Sequence, residues 1–582
     1  MLKLLNYLKR YKFQCFFLIA FLALQIWCSL QLPTIMASIV NNGITKGDIN
    51  YTFSSGLKML GFTLVAILAS IGNHFLSAKI GAGFSRDLRE DFYKKVLSFS
   101  VSDIDKFTTA SLITRTTNDI SQVQNAVMMM LTMMLRAILM GVGAIFQAFQ
   151  VAPDMTWIIA LGVVTIFSLS VLIISLVMPK FKVFQTLLDK ITLIARENLT
   201  GLRVIRAFNN EKHEQTKFEH TNKKLTDTIL YVNRIFSLQD PLIGLVFNGT
   251  SLLVIWIGVQ KLETDISYLG NMMAFVQYSA DVIIAFLMLT ILFVIIPRAN
   301  ISAGRINEVL KTKSKISWPE KTKGTPEVAP SVVFKKVSFK YPDAEEKILD
   351  NISFEAKAGE TTAFIGSTGS GKSTLISLIP RFYDATEGEI KINGLNIKNY
   401  SQSDLMKKIG YVPQKGVLFE GDIKSNISFG NPEADSELLE KSAEISQSSE
   451  FIKKLEKSFD SHISQGGTNV SGGQKQRLSI ARAIAKRPEI FIFDDSFSAL
   501  DMKTDKNLRS ALKPETTDSV VLIVAQRIST IKSADQIIVL NRGKVAGKGT
   551  HKSLLKSCKL YQEIVKSQVS EKEFKKELEN AR

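Results

Sequence analysis

Gly366-Ser367-Thr368-Gly369-Ser370-Gly371-Lys372-Ser373-Thr374 is the stretch whose reading decides how this chain folds. It fits G-x-x-x-x-G-K-[ST]; the apolar run Thr362-Ala363-Phe364-Ile365 before it predicts a strand, and Leu375 to Ile379 after it predicts a helix. Glycines let successive backbone N–H groups converge on phosphate oxygens at a helix N-terminus, where the dipole favours anions. In such a loop Lys372 reaches the outer phosphates and Ser373 a Mg²⁺ ion. The stretch reads as a cradle for a nucleoside triphosphate.

The 582-residue chain divides by composition. Apolar residues make up 46% of it, and most long apolar runs precede Pro297. The net charge of +18 is compatible with nucleic acid, but cytoplasmic flanks of membrane helices also collect Lys and Arg, and no DNA or RNA recognition motif is present. No nucleic-acid partner is therefore expected. Cys15, Cys28 and Cys558 are too scattered for a disulfide framework or a metal cluster.

The basic arm Met1 to Lys12 leads into an apolar run at about 13–40, longer than a signal-peptide core and without a clear cleavage site. Further runs near 55–78, 127–150, 156–178, 240–260 and 268–297 each approach or exceed the ~20 residues that cross a bilayer. The connections 41–54, 151–155 and 261–267 carry few cations, whereas 79–126 and 179–239 are rich in them, which predicts cytoplasmic long loops and termini. Ile191, Ile194, Leu199, Leu202 and Ile205 recur near helical intervals, so the spanning helices are expected to continue into the cytoplasm. Counting from the helix ends puts Arg136 and Asp281 at one depth, placed to pair or to line a substrate cavity. Met128, Met129, Met130, Met133, Met134 and Met140 form an adaptable apolar surface suited to varied ligands or to filling between helices.

In the second half, Lys311 to Pro330 reads as a linker, and Val332–Phe334 and Val337–Phe339 as strands ahead of Tyr341. Gln414 follows Tyr411-Val412-Pro413, and Ser471-Gly472-Gly473-Gln474 precedes a helix beginning near Lys475. The run Ile490-Phe491-Ile492-Phe493 reads as a buried strand delivering Asp494 and Asp495 to a sheet edge, where an acid can hold Mg²⁺ of a nucleotide. A second buried strand, Val520 to Val524, ends at Ala525-Gln526-Arg527.

In that order, these motifs resemble the nucleotide-binding domain of ATP-binding cassette transporters, and six spans with two long loops before it resemble an exporter half. The expected fold is a six-span membrane α-helical domain at 1–310, a linker at 311–330, an α/β P-loop nucleotide-binding domain at 331–565 and a charged tail at 566–582 forming an exposed helix. The resemblance implies that Tyr341 stacks on adenine and that Gly366, Ser367, Thr368, Gly369, Ser370, Gly371, Lys372, Ser373 and Thr374 bind phosphates. It further implies Mg²⁺ contacts from Ser373, Gln414 and Asp494, and a signature, Ser471, Gly472, Gly473 and Gln474, that caps ATP on a partner's domain. Asp501 would lie on the loop linking the two sites, and Glu197 to Phe208 would carry a helix that couples to a nucleotide-binding domain.

Two positions depart from the family. Asp495 stands where the family has a Glu that acts as base or positions water, and Gln526 where it has a switch His; Gln465, often Glu, is a milder departure. A base one methylene short is misplaced by about an ångström, and a glutamine amide takes no proton. The resemblance thus implies an ATP site that binds Mg-ATP but turns over slowly, in a heterodimer with a homologous half-transporter like the bacterial multidrug exporters. A homodimeric lipid or peptide exporter and an ATP-binding sensor subunit are the alternatives. The expected location is a bacterial cytoplasmic membrane, with both termini and the nucleotide-binding domain inside.

Overall fold

The computed structural model describes residues 1, 3–262, 268–324, 328–342 and 344–581. Six helical segments are long and apolar enough to cross a membrane: Leu4–Ile44, Ile49–Leu97, Thr109–Val151, Pro153–Thr200, Glu211–Lys261 and Tyr268–Lys311. Each is longer than the ~20 residues a bilayer requires, so the second to fifth carry most of the long loops as helix. Large apolar side chains point outward along them, Leu68 at 68%, Phe146 at 60% and Trp256 at 71% exposure, which water would penalise and lipid does not. The short connection 261–267 lies largely outside the described residues.

Packing within this helical unit is antiparallel between the third and sixth segments. Arg115 pairs with Glu308 at 2.9 Å, and Asp119 accepts from Ser302 at 2.8 Å and from Arg305 at 2.9 Å. The Tyr278 hydroxyl ties the sixth segment to the first through the Leu30 carbonyl at 2.7 Å and the Thr34 hydroxyl at 2.6 Å.

The second compact unit comprises Lys313–Arg582 together with Ser98–Phe107. Its six-stranded sheet runs in the order 544–549, 536–541, 361–366, 520–524, 490–494, 409–412, with all pairs parallel except the first. Strands covered on both faces need unbroken apolar runs, and both Ile490–Phe493 and Val520–Val524 are buried throughout. A four-stranded antiparallel sheet stands beside it, and Ser331–Phe339 forms one strand of it. The two strands expected there are joined across a register shift, with Lys336 at φ 51°.

The tail departs from the sequence reading. Helix Glu571–Ala581 is docked: Val569 and Phe574 pack on the core around the six-stranded sheet, and Glu577 pairs with Lys532. Its charge hid a small apolar face around the partly buried Phe574, while Glu571, Lys572, Glu573, Lys575 and Lys576 stay exposed as the sequence predicts.

Candidate nucleotide site

In open parallel sheets, ligands bind in the crevice beyond the carboxyl ends of the strands. Here that crevice is a cleft of about 360 Å³ lined by Tyr341, Thr368 to Thr374, Gln414, Asp495 and Gln526 among others. The phosphate loop leaves the sheet at Gly366, where a Cβ would lie 2.2 Å from the Leu540 carbonyl oxygen of the neighbouring strand. It re-enters helix at Lys372 through Gly371, whose φ of +96° disfavours any side chain. Both glycines are required by the backbone alone.

Lys372 Nζ donates to the carbonyl oxygens of Gly366 and Ser367, each at 2.9 Å. Burial pulls its pKa below the usual lysine value, opposed by the charges of Asp495 and Asp494. The ammonium is thus held in the loop without a counter-ion in contact, ready for phosphate oxygens. Ser373 Oγ donates to Asp494 Oδ1 at 2.9 Å, which joins the loop to the end of strand Ile490–Asp494. A hydroxyl and a carboxylate at that spacing, with the Gln414 amide nearby, form an all-oxygen donor set that fits Mg²⁺ held with a triphosphate. Tyr341 shares a hydrogen bond of 3.1 Å with Thr374 and presents its ring at the cleft edge, packed edge-on against Phe339 and Tyr383.

Asp495 has the most constrained geometry. Its φ is +48°, in the left-handed region that non-glycine residues rarely enter, and its N–H donates to the Val524 carbonyl at 3.0 Å. Its Oδ2 accepts from Gln526 Nε2 at 2.8 Å and from Gln414 Nε2 at 3.3 Å. Burial raises the pKa of both Asp494 and Asp495, and for Asp494 the charge of Asp495 adds to the rise. A raised carboxyl pKa gives stability that is fully present below the ordinary carboxylate value and is lost as pH rises through the raised one, so a penalty remains at neutral pH. Asp494→Asn is accordingly expected to raise the melting temperature of the nucleotide-free protein. It should also abolish the further rise given by Mg-ATP. Scanning fluorimetry with and without nucleotide checks both.

The signature residues do not line this cleft. Ser471 and Gln474 cap helix Gly472–Ala485 reciprocally, Ser471 Oγ accepting from Gln474 N at 3.3 Å and Gln474 Oε1 from Ser471 N at 2.8 Å. Gly472 is exposed, and Gln465 precedes the cap at the surface. Asp501 caps helix Met502–Leu512 through the N–H groups of Lys503 and Thr504 at 3.1 and 3.0 Å. Both motifs are therefore built as rigid surface turns, available to a second molecule.

Residues that carried no motif signal connect these parts. Gln476, buried one turn into the signature helix, accepts from Gly416 N at 2.9 Å and donates to the Pro413 carbonyl at 3.0 Å, so that helix and the Gln414 loop move together. The Arg527 guanidinium reaches the carbonyls of Ser498 and Leu500 at 3.1 and 3.2 Å, joining position 526 to the turn that leads to Asp501. Residues 98–107, from the first long loop, also belong to this unit: Asp105 accepts from the Tyr383 hydroxyl at 3.2 Å, and Asp103 from Ser314 Oγ at 3.1 Å. A lone tyrosine or aspartate in a loop gives no periodicity from which such contacts could be read.

In the helical unit, Arg136 and Asp281 do not pair. Arg136 Nε is buried without an acceptor among the described residues, and Asp281 Oδ1 accepts only from Gln277, at 3.4 Å. The Arg136 charge still acts on Asp281, without a hydrogen bond between them among the described residues. A Cβ at Gly141 would touch Ala285 at 3.4 Å, and across this antiparallel contact Arg136 lies toward one end and Asp281 toward the other.

Six membrane-spanning helices joined to a phosphate-loop sheet whose acids meet the loop define an ATP-driven membrane transporter. Residues 15–295 match the model of the ABC transporter transmembrane region, and residues 349–498 that of the ABC transporter domain. An uncharacterized ABC transporter ATP-binding protein of Mycobacterium tuberculosis is 38% identical over 93% of both chains. The Bacillus subtilis protein YfiB, described in the same terms, is 36% identical over 98% of both. An ATP-dependent lipid A-core flippase of Pseudomonas fluorescens is 32% identical over 83% of this chain and 80% of its own. A bacterial Atm1-family ABC exporter, solved with ATP bound, superposes with a TM-score of 0.80 at 23% identity, covering 97% of this chain and 99% of that one. The chain belongs to the ABC transporter family and has the ABC exporter fold, with an ATPase domain that drives transport across the membrane.

Proposed function

We propose that this chain is one half of a heterodimeric exporter whose own ATP site holds Mg-ATP and hydrolyses it slowly. The observation that carries this reading is the Asp495 carboxylate, one methylene shorter than the family's Glu and occupied by the amides of Gln414 and Gln526. Neither amide can take up or carry a proton, and a base displaced by about an ångström loses on the order of 100-fold in rate. Binding depends on other groups, Lys372, Ser373, Asp494 and the loop backbone, which keep the geometry a triphosphate needs. The exposed Ser471 cap then serves the partner, whose Glu and His complete the fast site. Both termini and the nucleotide-binding domain face the cytoplasm in this reading.

Hydrophobic and amphipathic compounds, cations among them, are the proposed cargo. The apolar helix faces, the methionines at 128–134 and the unpaired Asp281 support that class, as does the relative named as a lipid A-core flippase. Asp281→Asn is expected to lower transport of cationic compounds at least about fivefold while basal ATP turnover stays within about twofold, since a carboxylate in a membrane cavity acts on charge. Equal losses for neutral and cationic compounds would remove Asp281 from recognition.

The test of the reading as a whole is flux. Vesicles holding this chain with a homologous half that carries Glu and His at the positions matching 495 and 526 should accumulate an amphipathic dye only with ATP. ATP turnover without flux for any compound class would make the pair a sensor.

A further inference from the structure

The C-terminal segment grips the stretch that follows Gln526 at both ends. Gln568, in the turn between helices Lys559–Lys566 and Glu571–Ala581, donates its amide to the Gln526 carbonyl at 2.7 Å and accepts the Ile528 N–H at 2.8 Å. Ile528 opens the short helix Ile528–Ile531, and Lys532, directly after that helix, pairs with Glu577 of the last helix. The last helix and the turn before it pack against the core through the partly buried Phe574 and Val569, and the same Glu577 carboxylate lies 3.5 Å from the buried His551 ring. Between the two grips, Arg527 reaches Ser498 and Leu500.

We infer that Gln568 is a positioning residue of the ATP site, and that the C-terminal helix acts on nucleotide through it. A planar amide that donates to residue 526 and accepts from residue 528 fixes the backbone on both sides of Arg527. That backbone aims Gln526 Nε2, which stands 2.8 Å from Asp495 Oδ2 at the cleft. A shift of about an ångström there is enough to change how firmly the site holds its nucleotide. Glu577 is too far along the chain to touch the cleft, and its part is to keep the last helix, and with it Gln568, seated. The inference rests on the reading of position 526 as facing bound ATP.

The test uses the full transporter in lipid nanodiscs, with radiolabelled Mg-ATP chased by unlabelled ATP. Gln568→Ala is expected to speed release of the retained label by about threefold to tenfold, the range set by one or two lost hydrogen bonds, with the equilibrium affinity falling by no more than that factor and the melting temperature of the nucleotide-free protein held within about 2 °C. Gln568→Glu keeps the acceptor for Ile528 but sets a charge against the Gln526 carbonyl, and should release at least as fast. Glu577→Gln, a change at the anchor and outside the cleft, should speed release in the same sense, again with affinity falling by no more than the release factor. Lys372→Ala, which removes binding, marks the share of label held by this chain's own loop. Wild-type release from Gln568→Ala, with that share intact, would overturn the clamp. So would a parallel loss of affinity and melting temperature in both Gln568→Ala and Glu577→Gln, which would make the tail a general support of the fold. Because the assay reads binding and release, fast turnover at this site would contradict slow hydrolysis and leave the clamp standing.

Discussion

Asp495→Glu combined with Gln526→His is expected to raise ATP hydrolysis at this chain's own site by about 10- to 100-fold. The backbone at 495 is fixed by its positive φ and by the bond to Val524, so a longer side chain there extends farther into the cleft with the main chain unmoved. The histidine removes the amide that now occupies Asp495 Oδ2 and supplies a group able to carry charge at neutral pH. Each change alone is expected to give less than a third of the gain, because groups that act as a unit are strongly non-additive. Phosphate release from the pair, with the partner's phosphate-loop lysine replaced by Ala, measures this site alone. An unchanged rate would mean that residues 495 and 526 do not limit it.

Lys372→Ala is expected to lower the affinity of this chain for Mg-ATP by about 10- to 150-fold, the range of one or more charge-assisted hydrogen bonds lost from a half-buried site. The loop itself survives the change. Its path is set by Gly366 against Leu540 and by the positive φ of Gly369 and Gly371, and the two carbonyls that Lys372 now occupies are left to water. The melting temperature without nucleotide should therefore move by less than about 2 °C, while the rise given by Mg-ATP disappears. Titration with a fluorescent ATP analogue and scanning fluorimetry separate the two effects. A fall in both would show that Lys372 supports the loop rather than the ligand.

What could be read from the sequence follows from which interactions are local. The glycine loop, the two buried strands and the six spans carry their own periodicity or backbone demand, so Gly366 to Thr374, Ile490 to Asp494 and the long helices stand where the pattern puts them. The pairing of Asp495 with Gln414 and Gln526 joins three distant segments; the sequence named all three residues but could not give the bonds between them. Arg136 and Asp281 make no ion pair with each other among the described residues, a matter of side-chain reach that a count along two helices does not give. The docked tail was missed because Glu577, Phe574 and Gln568 each lie in a charged run with no apolar stripe wide enough to announce burial.

The central claim is that this chain's site holds ATP without rapid turnover, and the steady-state ATP hydrolysis of the chain purified alone, in nanodiscs and at saturating Mg-ATP, tests it most directly. The prediction is retained nucleotide with turnover at least about 100-fold below the ~10 s⁻¹ typical of enzymes. Turnover near that typical value, abolished by Lys372→Ala, would contradict it.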